Sequence, residues 1–275
     1  MDARLTVVPL HEALHEPVFG GKAVSLAAAL RAGLPVPQGA ALGNAFVDRA
    51  ASGDAAALET LMASPHIPDV RLAVRSSAIG EDSAGASFAG QHATKLNVRR
   101  HQLEEAVRVV WRSARSESAL AYRSRRGLPA VPKMGVVVQM LIEPVAAGVL
   151  FTRNPVTGAE ERLIEAAWGL GEAVVNGSIV PDRIRLDADG RVVDVAAGEK
   201  DIKVWYGDGD GTVEVRVPPS QQRELCLTAV HLEALHDLAA RCQRVWGRDL
   251  DLEWAIGAGD TVHLLQCRPI TTGQA

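Results

Sequence analysis

Two runs of alternating apolar and polar residues lie on either side of a turn that contains Gly257, Gly259 and Asp260. Strict alternation predicts extended strands, and a short glycine-containing turn between them predicts an antiparallel hairpin. In the first run the residues expected on the apolar face are Leu250, Leu252, Trp254 and Ile256. In the second run they are His263, Leu265 and Cys267. The pattern therefore predicts a hairpin over 249–270 that has one apolar and one polar face.

The polar face of this hairpin carries Glu253 on the first strand and both Gln266 and Arg268 on the second. Any register that joins the two apolar faces brings these side chains together, because a slip of one residue would turn a whole strand over. Carboxylate and amide oxygens suit a divalent cation that bridges phosphates, and a guanidinium nearby neutralises phosphate charge. A solvent-facing surface with an incidental salt bridge explains the same spacing equally well.

Lys22 stands at the start of a helix rich in Ala and Leu, which follows Gly20 and Gly21 and stops at Gly33. The free N–H groups at a helix start favour an anion, and a pair of glycines lets the backbone approach a ligand closely. Lys22 either points into water or adds its charge to a phosphate site. The spacing alone leaves both interpretations open.

Residues 71–76 predict a short strand on which Arg75 faces away from Leu72 and Val74, and a glycine-rich loop over 76–91 follows it. The side chains of this loop are too small to pack a core of their own. Such a loop suits a lid over a triphosphate, but a flexible linker has the same composition. The sequence contains no G-x-x-x-x-G-K-[ST] motif, so the loop is not a Walker-type phosphate loop.

Further elements follow from periodicity. A strand is predicted over 92–98 with Thr94 on one face, and helices are predicted over 102–125 and 221–246. One or two short helices are predicted over 44–63, with an interruption at Ser52-Gly53-Asp54. The near-continuous apolar run 133–141 predicts a buried strand that leads into a short connector. A connector of this kind can offer backbone donors and acceptors to an adenine ring, although buried strands are common in any mixed domain.

Composition narrows the classes of function. The chain has 275 residues, of which 47% are hydrophobic and 23% charged, which is typical of a soluble globular protein of one large domain or two lobes. A net charge of −4 without a basic block argues against a nucleic-acid partner. The three cysteines form no C-x-x-C pair, so buried reduced thiols are expected. The interrupted apolar region 135–151 predicts no membrane span, and the N-terminus lacks a signal-peptide pattern, so we expect a cytoplasmic protein.

Six segments, in this order along the chain, together resemble the ATP-binding domain of the phosphoenolpyruvate synthase, pyruvate phosphate dikinase and rifampicin phosphotransferase family. The segments are Gly20-Gly21-Lys22-Ala-x-Ser-Leu, Val74-Arg75-Ser76-Ser77-Ala78, Glu81-Asp82 with Ala86 to Gln91, Gly148 to Pro155, Trp168 to Glu172, and Asp251-x-Glu253-Trp254 with Gln266-x-Arg268-Pro269. The resemblance implies an α/β (α+β) fold of the two-lobed ATP-grasp type with mixed, largely antiparallel sheets. It implies an N-terminal lobe over 1–130, with the loop 76–91, and a C-terminal lobe over 131–275.

The resemblance also implies roles for individual residues. Those implied to act in catalysis are Lys22, Arg75 and Arg268. Those implied to bind the ATP phosphates or lie beside them are Lys22, Arg75, Ser76, Ser77, Thr94 and Arg268, whereas Gln139, Met140, Leu141 and Ile142 would form the adenine connector. Glu253 and Gln266 would bind the cofactor Mg²⁺, with ATP as the substrate.

In this family ATP is cleaved to AMP and phosphate, and a phosphoryl group is carried by a histidine on a separate swivelling domain. None of the eight histidines here lies in a glycine-rich Ser-His-Ala segment. The resemblance therefore implies a partner, either a separate phosphohistidine-domain protein or missing C-terminal domains. The span between Lys22 and Arg75 is shorter than is usual in the family. Two alternatives stay open: direct phosphorylation or activation of a small molecule, and a non-catalytic nucleotide-binding regulator.

Overall fold

The computed structural model describes residues 6–80, 93–125, 129 and 131–270. The chain divides into two compact units. The first comprises Met1–Arg31, Pro37–Leu141 and Gly207–Gly211, and the second comprises Ala32–Val36, Ile142–Tyr206 and Thr212–Ala275.

The first unit is built on a five-stranded antiparallel sheet whose strand order is β1-β2-β5-β3-β4. Its strands are β1 Val7–Pro9, β2 Gly39–Leu42, β3 Leu72–Ala78, β4 Thr94–Val98 and β5 Met134–Met140. Its helices are α1 Glu16–Phe19, α2 Gly21–Arg31, α3 Asn44–Ala51, α4 Ala55–Ala63, α5 Leu103–Ser113 and α6 Glu117–Arg125. Short 3-10 helices cover Leu10–Glu12 and Arg100–Gln102. The predicted buried strand over 133–141 corresponds to β5, and β3 and β5 are buried almost throughout.

A hydrophobic core fills one face of this sheet. Apolar side chains from alternate positions of β3 and β5 pack there with those of α3, α4 and α5, including Leu72, Val74, Val136, Val47 and Val107. The opposite face of the sheet carries Arg75 and Ser77, since these residues alternate with Val74 along β3. The two faces of one sheet therefore separate the packing residues from most of the predicted site residues.

The second unit contains a six-stranded antiparallel sheet of order β13-β12-β6-β7-β8-β9 and a separate two-stranded sheet, β10-β11. The strands are β6 Ala146–Phe151, β7 Arg162–Trp168, β8 Asp182–Leu186, β9 Val192–Ala196, β10 Ile202–Tyr206, β11 Thr212–Arg216, β12 Leu250–Ile256 and β13 Val262–Pro269. Its helices are α7 Glu172–Val175 and α8 Ala229–Trp246, and a 3-10 turn covers Ala258–Asp260. The predicted α+β class with largely antiparallel sheets is thus confirmed.

Polar side chains and a glycine shift helix boundaries away from the predicted ones. The stretch 44–63 is an exception, because its break falls at the predicted interruption, where Gly53 adopts φ +85° and Asp54 accepts a hydrogen bond from the N–H of Ala57. The stretch 102–125 also breaks in two, where the Ser116 hydroxyl accepts from the N–H of Ala119 at the start of α6. The helix predicted from 221 begins only at Ala229, which the side chain of Thr228 caps.

A buried ion pair joins Lys200 to Asp182 in the second unit, and both side chains are fully buried. Asp182 also accepts hydrogen bonds from the N–H groups of Gly198 and Cys226, so its carboxylate is well satisfied. Burial raises the pKa of the Cys226 thiol, and Cys226, Cys242 and Cys267 are all buried and unbridged, as predicted. Among the described residues, no helix is both long and apolar enough to cross a membrane.

Candidate functional site

In the first unit, Lys22 lies where the start of α2 contacts β3. Its Nζ donates a hydrogen bond to the carbonyl oxygen of Ser76 at 3.0 Å. One residue further along, the N–H of Ala23 donates to the Ser77 hydroxyl at 3.0 Å. The helix start is therefore attached to the strand at two consecutive residues, and the lysine ammonium group is held beside the carboxyl-terminal half of β3.

Four predicted site residues share one face of the first sheet. Arg75 pairs with Thr94 of β4, and Gln139 of β5 lies on the same face two positions from Val137, the partner of Arg75. Ser77 follows Arg75 by two residues on that face. Arg75 is 9% exposed and Ser77 is fully buried.

Ser76 differs from these residues, because its side chain alternates to the face that packs against the helices and is 2% exposed. What Ser76 offers to the Lys22 side is its backbone carbonyl. The predicted role of Ser76 beside the ATP phosphates stays a prediction, and it would involve the main chain of Ser76. Of the glycine-rich loop 76–91, residues 81–91 lie outside the described part of the chain.

The predicted adenine connector begins at the end of β5. The side chain of Gln139 is 2% exposed and donates to the carbonyl of Pro37 at 3.2 Å. The N–H groups of Met140 and Leu141 donate to the carbonyls of Gln38 and Arg71. These donors are therefore engaged within the first unit, whereas Met140 and Leu141 are only partly buried. The adenine-binding role of residues 139–142 stays a prediction. Ile142 belongs to the second unit and is 8% exposed.

In the second unit, the predicted hairpin is formed by β12 and β13, and the predicted pairing of Glu253 with Gln266 is present. Glu253 pairs directly with Gln266, and Asp251 pairs with Arg268. Paired residues of antiparallel strands point to the same face, so the four side chains share one surface. The same row continues across the sheet, where Glu253 pairs with Val149 and Val149 with Glu165.

The predicted apolar face of β13 is wrong in part. A register shift between Glu253 and Trp254 skips Leu265, so that Leu264 pairs with Trp254 and His263 with Ala255. Leu264 is fully buried beside Cys267, whereas Leu265 and His263 are only partly buried. The extra residue is a β-bulge, which strict alternation cannot represent.

Arg268 forms an ion pair that the sequence interpretation did not assign. Its Nε and Nη2 lie 2.7 Å and 2.6 Å from Oδ2 of Asp251. Asp251 is 6% exposed, and its other oxygen, Oδ1, is buried without a hydrogen-bond partner. Burial raises the pKa of Asp251, while the Arg268 guanidinium opposes that rise. Asp251 was not predicted as a site residue, although the D-x-E spacing, which places it on the same face as Glu253, could have identified it.

The donor set of the hairpin fits a hard divalent cation. One carboxylate, Glu253, and one amide, Gln266, lie opposite each other, and Asp251 adds a buried oxygen that has no partner. The described ranges contain no group of three or more His, Cys, Asp or Glu side chains arranged to hold a metal ion by themselves. Mg²⁺ normally takes one or two protein oxygens and completes its shell with phosphates and water, so a small donor set of this kind is what it requires.

Comparison with known proteins gives a consistent picture. Residues 55–275 match the family described as pyruvate phosphate dikinase, AMP/ATP-binding domain. The chain is 42% identical over 207 residues to a probable phosphoenolpyruvate synthase of Methanothermobacter thermautotrophicus, covering 74% of this chain and 30% of that protein. It is 41% identical over 205 residues to a rifampicin phosphotransferase of a Streptomyces species, covering 73% and 23%. It is 36% identical over 286 residues to the prodigiosin synthesizing transferase PigC of Serratia marcescens, covering 92% and 32%.

Among solved structures, the fold is similar to the VanG D-Ala:D-Ser ligase of Enterococcus faecalis, with a TM-score of 0.45 and 11% identity, over 92% of this chain and 54% of the ligase. The chain spans about a quarter to a third of the length of the curated relatives named above. The match over residues 55–275 and the level of identity to these relatives show that the chain belongs to the pyruvate phosphate dikinase AMP/ATP-binding domain family.

Proposed function

We propose that this chain binds Mg-ATP and serves as the ATP-cleaving part of a phosphotransferase of the ATP-grasp type. In this proposal Lys22, Arg75 and Arg268 bind the ATP phosphates, with Ser76, Ser77 and Thr94 beside them, and residues 139–142 receive the adenine ring. Both phosphoanhydride bonds of ATP are broken to give AMP: one phosphoryl group passes to a histidine of a separate domain or partner protein, and the other is released as phosphate by reaction with water. The observation that carries the proposal is the pairing of Glu253 with Gln266 beside the Asp251–Arg268 ion pair, in a member of an AMP/ATP-binding family.

Phosphoryl transfer requires little covalent chemistry from the protein, because it depends mainly on positioning the reactants and neutralising the charge of the phosphate oxygens. Glu253 and Gln266 are the residues that would hold Mg²⁺, and the bound ion would neutralise phosphate charge. The Asp251 carboxylate orients the Arg268 guanidinium through two of its nitrogens, and in this proposal the guanidinium charge neutralises phosphate oxygens. Lys22 adds an ammonium group that is already oriented by the carbonyl of Ser76.

The assignment of the metal ligands is tested by Glu253→Ala. We expect this change to weaken Mg-ATP binding by about ten-fold or more, since it removes the charged ligand of the pair. Isothermal titration calorimetry with Mg-ATP measures the loss, and Glu233→Ala on the exposed side of α8 is the matched control that keeps its affinity. Unchanged binding by the Glu253 variant would show that the metal site lies elsewhere.

The reaction itself is tested by its nucleotide products. With a phosphohistidine-domain protein present, we expect AMP and phosphate to form, and chromatography of the nucleotides measures them. ADP alone would instead support direct phosphorylation of a small molecule. Binding of Mg-ATP without turnover in the presence of that partner would support a regulator.

A further inference from the structure

The buried hydroxyl of Ser77 has a different role from that of a nucleotide contact. We propose that Ser77 is a positioning residue, whose hydroxyl fixes the first turn of α2 and thereby sets where Lys22 holds its ammonium group. This inference rests on the proposed function, in which Lys22 binds the ATP phosphates. Ser77 then belongs to the residues that position an ATP-binding side chain, and not to the residues that contact ATP.

The first turn of α2 needs a hydrogen-bond acceptor that its own cap cannot supply. The helix begins at Gly21, so the capping position is Gly20, which has no side chain. A capping side chain normally accepts from the second or third N–H of the helix, and the third here belongs to Ala23. Ala23 is fully buried, and its N–H donates instead to the hydroxyl of Ser77, which lies 54 positions away in the sequence. Ser77 thus provides from β3 the bond that a capping side chain would provide locally.

The packing around Gly20 explains why the cap comes from another strand. Gly20 adopts φ +81°, and a Cβ built on it would lie 2.0 Å from the carbonyl oxygen of Ser77 and 2.6 Å from its hydroxyl. On the neighbouring strand, a Cβ on Gly135 would lie 2.3 Å from the carbonyl oxygen of Phe19. The junction of α1 and α2 is therefore seated directly on β3 and β5. A residue with a side chain does not fit at the capping position, and the acceptor is supplied by Ser77 of β3 instead.

This arrangement holds Lys22 from both sides. The backbone is fixed before it by the seat of Gly20 against Ser77 and after it by the Ala23 bond. Its Nζ uses one N–H on the carbonyl of Ser76, and an ammonium group has three, so two are left for phosphate oxygens. Loss of the Ser77 hydroxyl would free the first turn, and the lysine would have to be ordered again each time a phosphate binds.

The complete burial of Ser77 distinguishes its positioning role from direct contact with ATP. Ser77 is 0% exposed, and its hydroxyl oxygen accepts a hydrogen bond from the Ala23 N–H inside the protein. An effect of Ser77 on ATP should therefore pass through Lys22 and depend on the presence of that lysine.

The test is a double-mutant cycle between Ser77→Ala and Lys22→Met, read by calorimetric titration with Mg-ATP and with adenosine. Ser77→Ala should raise the Kd for Mg-ATP by about five-fold, as expected for a lost capping bond, and leave the Kd for adenosine unchanged. In the Lys22→Met background the same change should have no further effect on Mg-ATP. The matched control is Ser64→Ala, because Ser64 is also buried and its hydroxyl also accepts a backbone N–H, that of His66. Its affinities should stay as in the parent chain.

The outcomes separate this inference from the proposed function. If Ser77→Ala weakens Mg-ATP binding equally with and without Lys22, or weakens adenosine binding as well, the positioning role is overturned. If Lys22→Met weakens binding and Ser77→Ala does not, the positioning role alone is overturned. If Lys22→Met leaves Mg-ATP binding unchanged, the phosphate role of Lys22 in the proposed function fails, and this inference fails with it. Should Ser77→Ala not fold, Ser77→Cys keeps the shape with a weaker acceptor and must give the same Lys22-dependent pattern.

Discussion

Gly20 is the residue at which local backbone geometry and close packing impose the same requirement. Its positive φ disfavours any side chain, and the space where a Cβ would stand is taken by the main chain of Ser77. The clash is with backbone rather than with the end of a flexible side chain, so it cannot be relieved by a rotamer change.

We expect Gly20→Ala to lower the free energy of unfolding by more than about 2 kcal/mol, the sum of backbone strain and overpacking. Gly53→Ala is the matched control, because Gly53 has a similar φ of +85° but open space around it. That control should lose only about 1 kcal/mol. Denaturation in urea measures both values, and equal losses would contradict the close seat of Gly20.

Single residues also mark where sequence reasoning reached its limit. The shared face of Glu253, Gln266 and Arg268 follows from alternation, and the observed pairs on this side of the bulge agree with it. The burial of Ser77 does not follow in this way, because it depends on how α1 and α2 are seated on the sheet. The only sign of such a tertiary contact in the sequence is the presence of glycines where the elements approach closely.

The hairpin of β12 and β13 shows how one inserted residue changes which side chains form the core. Alternation alone predicts that Leu265 is buried with Cys267, whereas the bulge gives that place to Leu264. The polar face on the other side of the bulge keeps the predicted contact between Glu253 and Gln266, and Arg268 pairs with Asp251 on the same face.

The bulge predicts unequal effects of two neighbouring leucine substitutions. Leu264→Ala should destabilise the protein by about 2–4 kcal/mol, since it leaves a cavity beside Trp254. Leu265→Ala should cost less than about 1 kcal/mol, because this side chain is only partly buried. Thermal and urea denaturation compare the two variants. A larger loss for Leu265 would mean that the strand follows simple alternation.

β2 is one of the strands that sequence reasoning missed, and its composition explains why. β2 consists of Gly39, two alanines and Leu42, a composition with little intrinsic preference for strand. It is extended because β1 and β5 pair with it on both sides. β5, with its continuous apolar run, was recognisable from sequence because both of its faces are buried.

Across the whole molecule, the two units are interleaved along the chain. The short segment 32–36 belongs to the second unit although residues of the first unit precede and follow it. Its Pro35 carbonyl accepts a hydrogen bond from the N–H of Leu264 on the edge strand β13, and its Gly33 carbonyl accepts one from Arg241 of α8. The predicted lobes, 1–130 and 131–275, describe neither this segment nor β5, which pairs within the first sheet. Their correspondence to functional lobes remains a prediction.

We therefore expect a fragment of residues 142–275 to lose protection at the outer edge of β13. In hydrogen exchange measured by NMR or mass spectrometry, the amide of Leu264 should exchange faster than in the full chain, because its acceptor is missing. The amide of Thr152 is an internal control, since its acceptor, the Leu250 carbonyl, remains in the fragment. Equal protection of Leu264 in both samples would show that segment 32–36 is dispensable.

The path of the chain also bears on how such a domain is inherited. The polypeptide changes unit at five places, at 31/32, 36/37, 141/142, 206/207 and 211/212. A genetic crossover at any one of them would separate at least one unit from a segment that completes it. A gene fusion that keeps both units together preserves all of these segments. We therefore expect the domain to occur within longer proteins as one uninterrupted segment.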